Sequence, residues 1–447
     1  MHAVELIVPA TGMQANLETL SALERKLSVS LPATDIDHEV ENRLKRLSRT
    51  VKLHGFRPGK VPLKVVEQHY GPQVRQEVLG DAMQRSFGEA VRQQNLKVAG
   101  YPKFELAPRT DGAVDIRYSA TFEIYPEVTV GDITAAAIER PALAVGDEEV
   151  DKTLEIMRKQ RARYEEVERA AQTGDRVTID FRGTLDGADF PGSSGSGQHA
   201  VLGEGRLLPD FEAGIAGMKP GETKSFDVRF PGDYHGREVA GKSARFEVTV
   251  SQVAAPRLPE IDAAFAKSLG VADGDLSRMR AEVRGNLERE VKAKLRSRLR
   301  DQVMQALLEA TRIEAPRSLV QMEIERLQAG ARQELTARGV KMTPETPLPG
   351  DLFEQQAARR VTLGLILGEL VKMHNLYPKP EQVRRLVEEQ AESFERPEEV
   401  VRWFYGAPER LREIESAALE DNVVQWALGV ARVTDRKVDF DELMGKR

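Results

Sequence analysis

The spacing of apolar residues changes period twice in the first third of the chain. In residues 25–33, RKLSVSLPA, Leu27, Val29 and Leu31 alternate with polar neighbours, the period of a strand with one buried face. From Thr34, which reads as an N-cap with Asp35 and Asp37 in the first turn, Ile36, Val40, Leu44, Leu47 and Val51 fall on one helical face. The Gly/Pro loop HGFRPGKVP interrupts. Pro62 opens a further helix, and Val74, Val78, Phe87 and Val91 mark another. Strand signals return near 98–108 and 114–125, where Ile116, Tyr118, Ala120, Phe122 and Ile124 alternate. With no strand–helix–strand alternation, the pattern predicts an α+β domain built on an antiparallel sheet.

Residues 126–172 read as a connector, extended through Pro126 and Pro141 and then a charged helix from Asp147 to about Ala171. Residues 174–256 carry the turn signals of a small β domain: DGADF, PGSSGSG, MKPGET and PGDYHG, closed by the strand ARFEVTVSQV. Beyond Leu258 the pattern is helical almost throughout, with helices from Pro316 to about Gly339, Asp351 to Asn375, Pro380 to Glu395 and Pro408 to about Val433. Met279, Val283, Leu287, Val291, Leu295, Leu299, Val303 and Leu307 recur every fourth residue. At about 100° per residue such a line winds around its helix, so it predicts different neighbours along its length or apolar surface left open.

A length of 447 residues predicts about three domains of roughly 150 residues each. The absence of cysteine excludes disulfides, thiol nucleophiles, Fe–S clusters and thiolate zinc sites, and fits a reducing compartment. The N-terminal MHAVELIVPATG has no basic n-region and meets Pro9 early, unlike a signal peptide. The most apolar later stretch, 361–373, is shorter than the roughly 18 to 20 residues of a membrane span and contains Glu369 and Lys372. A soluble, cytoplasmic protein with no membrane partner is the expectation.

Charge singles out one place. Arg43, Lys45, Arg46, Arg49, Lys52, Arg57, Lys60 and Lys64 follow one another without an intervening Asp or Glu, in a chain of formal net charge −6. Such a local reversal suits a small phosphate-binding footprint, although Arg43 to Arg49 alone read better as a solvated helix face. Within the loop, Phe56, Arg57 and Lys60 sit between Gly55, Pro58, Gly59 and Pro62, so an aromatic and two cations occupy a tip with no core to fill. Residues 236–243, GREVAGKS, match the phosphate-loop pattern letter for letter but run into a strand instead of opening a helix, so no nucleotide is implied. The seven histidines show no metal or relay spacing. Neither a cofactor nor a metal is expected.

The order VTIDFRGTLDGADF, LGEGRLLPDFEAGIAGMKPGE, FPGDYHG and ARFEVTV resembles the FK506-binding family of prolyl cis/trans isomerases. The GFRPGKVP loop and the order of segments resemble the bacterial trigger factor family over about Met13 to Arg447, with Met13 the expected natural start. The resemblance implies a multidomain α+β fold: an N-terminal extension (1–12), an α+β ribosome-docking domain (13–126), a linker (127–172), an FK506-binding-type β-rich isomerase domain (173–257) and an all-helical chaperone domain (258–447). It implies an ATP-independent chaperone and peptidyl-prolyl isomerase whose proline pocket is lined by Phe181, Phe190, Leu207, Leu208, Phe211, Tyr234 and Phe246, with the Leu208 amide a partner for a substrate carbonyl. Phe246→Ala or Phe211→Ala is then expected to remove most isomerase activity with the fold kept. Two positions depart from the family pattern, Pro191 for a pocket acid and Gln198 for an aromatic.

The resemblance further implies docking through Gly55, Phe56, Arg57, Pro58, Gly59 and Lys60 on the large ribosomal subunit near the exit tunnel, against ribosomal protein and RNA. Nascent and unfolded polypeptides would be the clients, held against helices that carry Leu363, Leu365, Ile366, Leu367 and Met373. A homodimer off the ribosome is left open. The rival reading is a free isomerase acting on folded partners, with the helical region as an assembly module; it leaves the basic tip without a use.

Overall fold

The alternating residues of the first third do meet across a sheet. The computed structural model describes residues 4–7, 14–54, 56, 60–108, 114–234, 236, 238–340, 343, 348–392, 394 and 396–445. Strands β1 (Val4–Ile7), β2 (Gln14–Thr19) and β3 (Glu24–Pro32) are followed by helices α1 (Ala33–Thr50) and α2 (Leu63–Gln93), then by β4 (Val98–Leu106) and β5 (Asp115–Ile124). The strands pair antiparallel in the order β1-β2-β3-β5-β4. Leu27, Val29 and Leu31 of β3 and Tyr118, Ala120 and Phe122 of β5 bury against Met83, Phe87 and Ala90 of α2. Ile36, Val40 and Leu44 of α1 form a second cluster with Val66, Val74 and Val78 of α2.

Two local readings are corrected here, and two strands are added. The first helix starts at Ala33 with Pro32 ahead of it, so Thr34 lies inside the first turn instead of capping it. The two helices read after Pro62 are one, α2, which continues through Pro72. A proline removes one backbone hydrogen bond, but Val66, Val74 and Val78 on either side are buried and hold the helix together. Strands β1 and β2 were not read from the sequence; β2 pairs with β3, and β1 pairs with β2 at the edge of the sheet.

After β6 (Ala137–Ala142) come α3 (Asp147–Gln160), β7 (Arg163–Glu166), β8 (Arg176–Thr184), β9 (Ser194–Val201), α4 (Pro209–Ile215), β10 (Thr223–Arg229) and β11 (Ser243–Arg257). The helices α5 (Ala263–Ser268), α6 (Leu276–Ala310), α7 (Arg317–Ala337), α8 (Asp351–His374), α9 (Pro380–Ala391), α10 (Pro397–Tyr405) and α11 (Pro408–Val430) precede β12 (Arg432–Lys437) and α12 (Phe440–Met444). The connector helix therefore ends at Gln160, short of the expected Ala171. Residues 163–166, charged and helix-compatible, instead pair antiparallel with the tail of β11, where Glu165 meets Arg257 at 2.7 Å. Helix α10 was not read from the sequence, and β12, paired with β6, interrupts the helical C-terminal region.

Contacts divide the chain into two units, residues 1–140 with 298–434 and residues 141–297 with 435–447. In the first, Ile133 and Ile138 pack with Val303 and Leu307 of α6, Ile366 and Leu370 of α8, and Val423 and Ala427 of α11. Ile366 is thus core, Leu363 and Leu367 lie half-buried against it, and Met373 is exposed. In the second, Met279 and Val283 meet Val150 and Leu154 of α3, and Leu287 and Val291 meet Phe440 and Met444 of α12. The winding line of α6 does take different neighbours along its length.

A second β-rich core lies in the second unit. Its strands pair in the order β10-β11-β8-β9, with α4 packed on one face through Phe211 and Ile215. Asp175 is buried with its carboxylate taken by Arg169 (2.6 and 2.9 Å) and by the Gln172 amide (2.8 Å), which fixes the entry to β8.

Candidate active site

Strict alternation on β11 buries Ala244, Phe246, Val248 and Val250 on one face. Register then decides what lies beside the ring. Phe246 stands directly opposite Phe226 of β10 and Gly183 of β8, and Phe181 of β8 opposite Gly195 of β9. The glycines leave room for the rings: a Cβ at Gly183 would lie 2.6 Å from the Phe246 ring, and one at Gly195 would lie 2.8 Å from that of Phe181.

Phe246 is the hub of an aromatic set. Its ring centroid lies 5.2 Å from Phe211, 6.1 Å from Phe181, 6.2 Å from Phe190 and 6.4 Å from Phe230. Tyr234 stacks edge-on against Phe230 at 4.8 Å. Leu207 and Leu208, ahead of α4, are half-buried against the same cluster. The seven residues named from the sequence for a proline pocket therefore lie in one cluster. Phe226 and Phe230 were missed, although Phe226, Val228 and Phe230 alternate and Phe230 opens the FPGDYHG motif.

Phe211 and Phe246 are 7% and 5% exposed, so both rings belong to the core of the domain. Cutting either to alanine costs about 3–5 kcal/mol of stability. Activity of either variant is therefore read beside its unfolding midpoint; Phe190, only half-buried, is the cleaner probe.

Apart from the Tyr234 phenol, the rings and leucines offer apolar surface, with no carboxylate or imidazole among them. A backbone polar group stands beside them: Leu208 is extended ahead of α4, and among the described residues its amide donates to no oxygen. In the middle of β8, Asp180 accepts from the Ser196 hydroxyl (2.5 Å) and the Gly197 amide (2.7 Å), and these bonds hold its carboxyl below the usual range. Gln198 lies exposed on β9. Residues 236 and 238–243 lead through the turn at Gly241 into β11, so the segment lacks the helix N-terminus a phosphate loop uses. Among the described residues, no group of three or more His, Asp or Glu is placed to hold a metal ion, and no helix is long and apolar enough to cross a membrane.

The basic loop is partly described; Gly55, Arg57, Pro58 and Gly59 lie outside the described residues. On either side, Leu53 and Val61 pack into the α1–α2 cluster, whereas Phe56 is 39% exposed and Lys60 is exposed. Arg43 is taken by Asp81 of α2 (2.5 Å) and Lys45 by Glu41 (2.6 Å). Among the described residues, Arg46, Arg49, Lys52, Lys60 and Lys64 pair with no carboxylate.

The sheet, the helix laid across it and the aromatic floor define a prolyl isomerase domain, and a family model described as FKBP-type peptidyl-prolyl cis-trans isomerase matches residues 167–251. Models described as bacterial trigger factor protein (TF) and its C-terminus match residues 13–157 and 275–429. The trigger factor of Nitrosospira multiformis is 57% identical over 435 residues, covering 97% of this chain and 100% of that relative. That of Laribacter hongkongensis is 53% identical over 434 residues, again covering 97% and 100%. The chain belongs to the bacterial trigger factor family, a family of ribosome-associated chaperones for unfolded chains that carry a peptidyl-prolyl isomerase domain.

Proposed function

We propose that this chain is an ATP-independent cytoplasmic chaperone that docks beside the ribosomal exit tunnel, shields apolar segments of nascent chains and isomerises X-Pro bonds in them. Residues 13–126 would dock, 127–172 link, 173–257 isomerise and 258–447 hold the client, with 1–12 an extension. The docking contacts would come from 55–60, with Phe56 against ribosomal protein or RNA and Arg57 and Lys60 on phosphate. A homodimer of the free protein is a further state, readable by sedimentation.

The isomerase chemistry needs no acid, base or metal. Cis and trans X-Pro bonds are nearly isoenergetic, yet amide resonance separates them by roughly 18–20 kcal/mol. The twisted amide at the top of that barrier has lost resonance and charge separation. A floor made of Phe181, Phe190, Phe211, Tyr234 and Phe246 favours it over the planar amide, and the Leu208 amide holds a neighbouring substrate carbonyl in place. Leu207 and the Leu208 side chain close the wall.

The observation that carries the ribosomal half of this reading is Phe56, left exposed between the core-anchored Leu53 and Val61 and beside cations that no carboxylate satisfies among the described residues. A free isomerase has no use for such a tip. Co-sedimentation with vacant bacterial ribosomes across a salt series tests it, comparing wild type with Phe56→Ala/Arg57→Ala. Salt-sensitive binding lost in the double variant is the expected result; no binding by wild type would return the free isomerase.

A further inference from the structure

Helix α4 holds Leu208 through its carbonyl, and the amide on the other side of that residue is reached through the segment before it. Leu208 is extended (φ −61°, ψ 140°), as residues before a proline usually are. The approach to it contains two glycines in the left-handed region, Gly203 (φ 92°) and Gly205 (φ 68°). A segment of this kind has little stiffness of its own.

Two carboxylates of α4 supply the stiffness. Glu212 accepts from the Gly203 amide, while its own amide donates to the Leu208 carbonyl at 2.9 Å, so both ends of the approach close on one residue. Asp210 accepts from the amide of Arg229 at 3.0 Å, the last residue of β10, and ties the first turn of α4 to the sheet. Neither is needed to keep α4 in the core, because Phe211, Gly214 and Ile215 are buried there. Asp210 is exposed and Glu212 half-buried, and neither belongs to the aromatic set.

We propose that Asp210 and Glu212 are positioning residues of the isomerase, holding the Leu208 amide where it meets the substrate carbonyl; this rests on the pocket reading given above. Both act through backbone amides of other residues and touch no substrate atom. A hydrogen bond to the reacting peptide works only when its donor is held to within a fraction of an ångström.

The full-length protein with an X-Pro tetrapeptide tests this, with kcat and KM measured separately beside thermal unfolding. Asp210→Ala/Glu212→Ala is expected to lower kcat/KM by about five- to twentyfold, mainly through kcat, with the unfolding midpoint little changed. Asp210→Asn/Glu212→Gln keeps an acceptor oxygen at each position and is expected to restore most of the loss. Wild-type kcat/KM in the alanine pair, or equal damage in the amide pair, would overturn the proposal. Phe190→Ala separates the two levels of the argument. If it keeps full activity, the pocket reading falls and the proposal with it; if it is impaired while the alanine pair is not, only the positioning role falls.

Discussion

Phe246 of β11 and Gly183 of β8 are direct cross-strand partners, and the phenyl ring occupies the space a side chain at 183 would need. Gly183→Ala therefore pushes on the ring that touches Phe181, Phe190, Phe211 and Phe230. We expect a loss of about 1–3 kcal/mol in urea unfolding, as for other overpacked cores, together with reduced isomerase turnover. Gly232→Ala is the control, since a Cβ there meets nothing within 4 Å and is expected to leave both measurements unchanged.

Glu123 of β5 caps α7 from outside that helix. Its carboxylate accepts from the amides of Arg317 (3.0 Å) and Ser318 (2.6 Å), two donors that a helix start leaves unpaired. The Ser318 hydroxyl completes the contact by donating to the Ala99 carbonyl at 2.9 Å. Glu123→Ala is expected to cost about 1–2 kcal/mol and to speed amide hydrogen exchange in the first turn of α7. Unchanged exchange at 317–320 would dismiss the cap.

Helices α7 and α8 share a pH-sensitive bond. Glu323 lies between Arg326 (2.7 Å) and Arg360 of α8 (3.2 Å). The hydrogen bond from Arg326 is the main reason its carboxyl titrates below the ordinary glutamate range, with burial opposing and Arg360 assisting. The folded-state pKa is depressed, so its contribution to stability is complete above the unfolded value near 4.5 and is lost as pH falls through the lower folded one. Glu323→Gln is expected to flatten the stability profile in that acid window and to leave its shape above pH 6 unchanged.

The cations of the basic segment should divide by partner. Lys45, already paired with Glu41, is expected to leave the salt dependence of ribosome binding almost unchanged when replaced by alanine. Lys60→Ala is expected to reduce the slope of log affinity against log salt by roughly 0.7 to 0.9, the loss of one phosphate contact. Equal slopes for the two variants would mean that the loop makes no phosphate contact through Lys60.

Short-range patterns determined much of this protein. The alternation in 25–33 and 116–124, the helical face from Ile36 to Val51 and the turn signals of 174–256 each describe a local periodicity that a buried face imposes on any sequence. The isomerase motifs likewise fall on contiguous stretches, which is why the seven residues now found clustered round Phe246 could be named before their contacts were known. The winding line of α6 was legible as a problem, since no single flat partner can cover it.

Tertiary structure decided the rest. Residues 163–166 carry helix-compatible charges and became a strand because the free tail of β11 offered them a ladder. Pro72 stayed within α2 because the cluster flanking it outweighs one missing hydrogen bond. Which rings meet, that Gly183 and Gly195 must be small, and that Asp81 takes Arg43 while Lys60 is left to solvent all depend on register and on residues distant in the chain. Periodicity reports which side of an element is buried; only the packed chain decides what lies against that side.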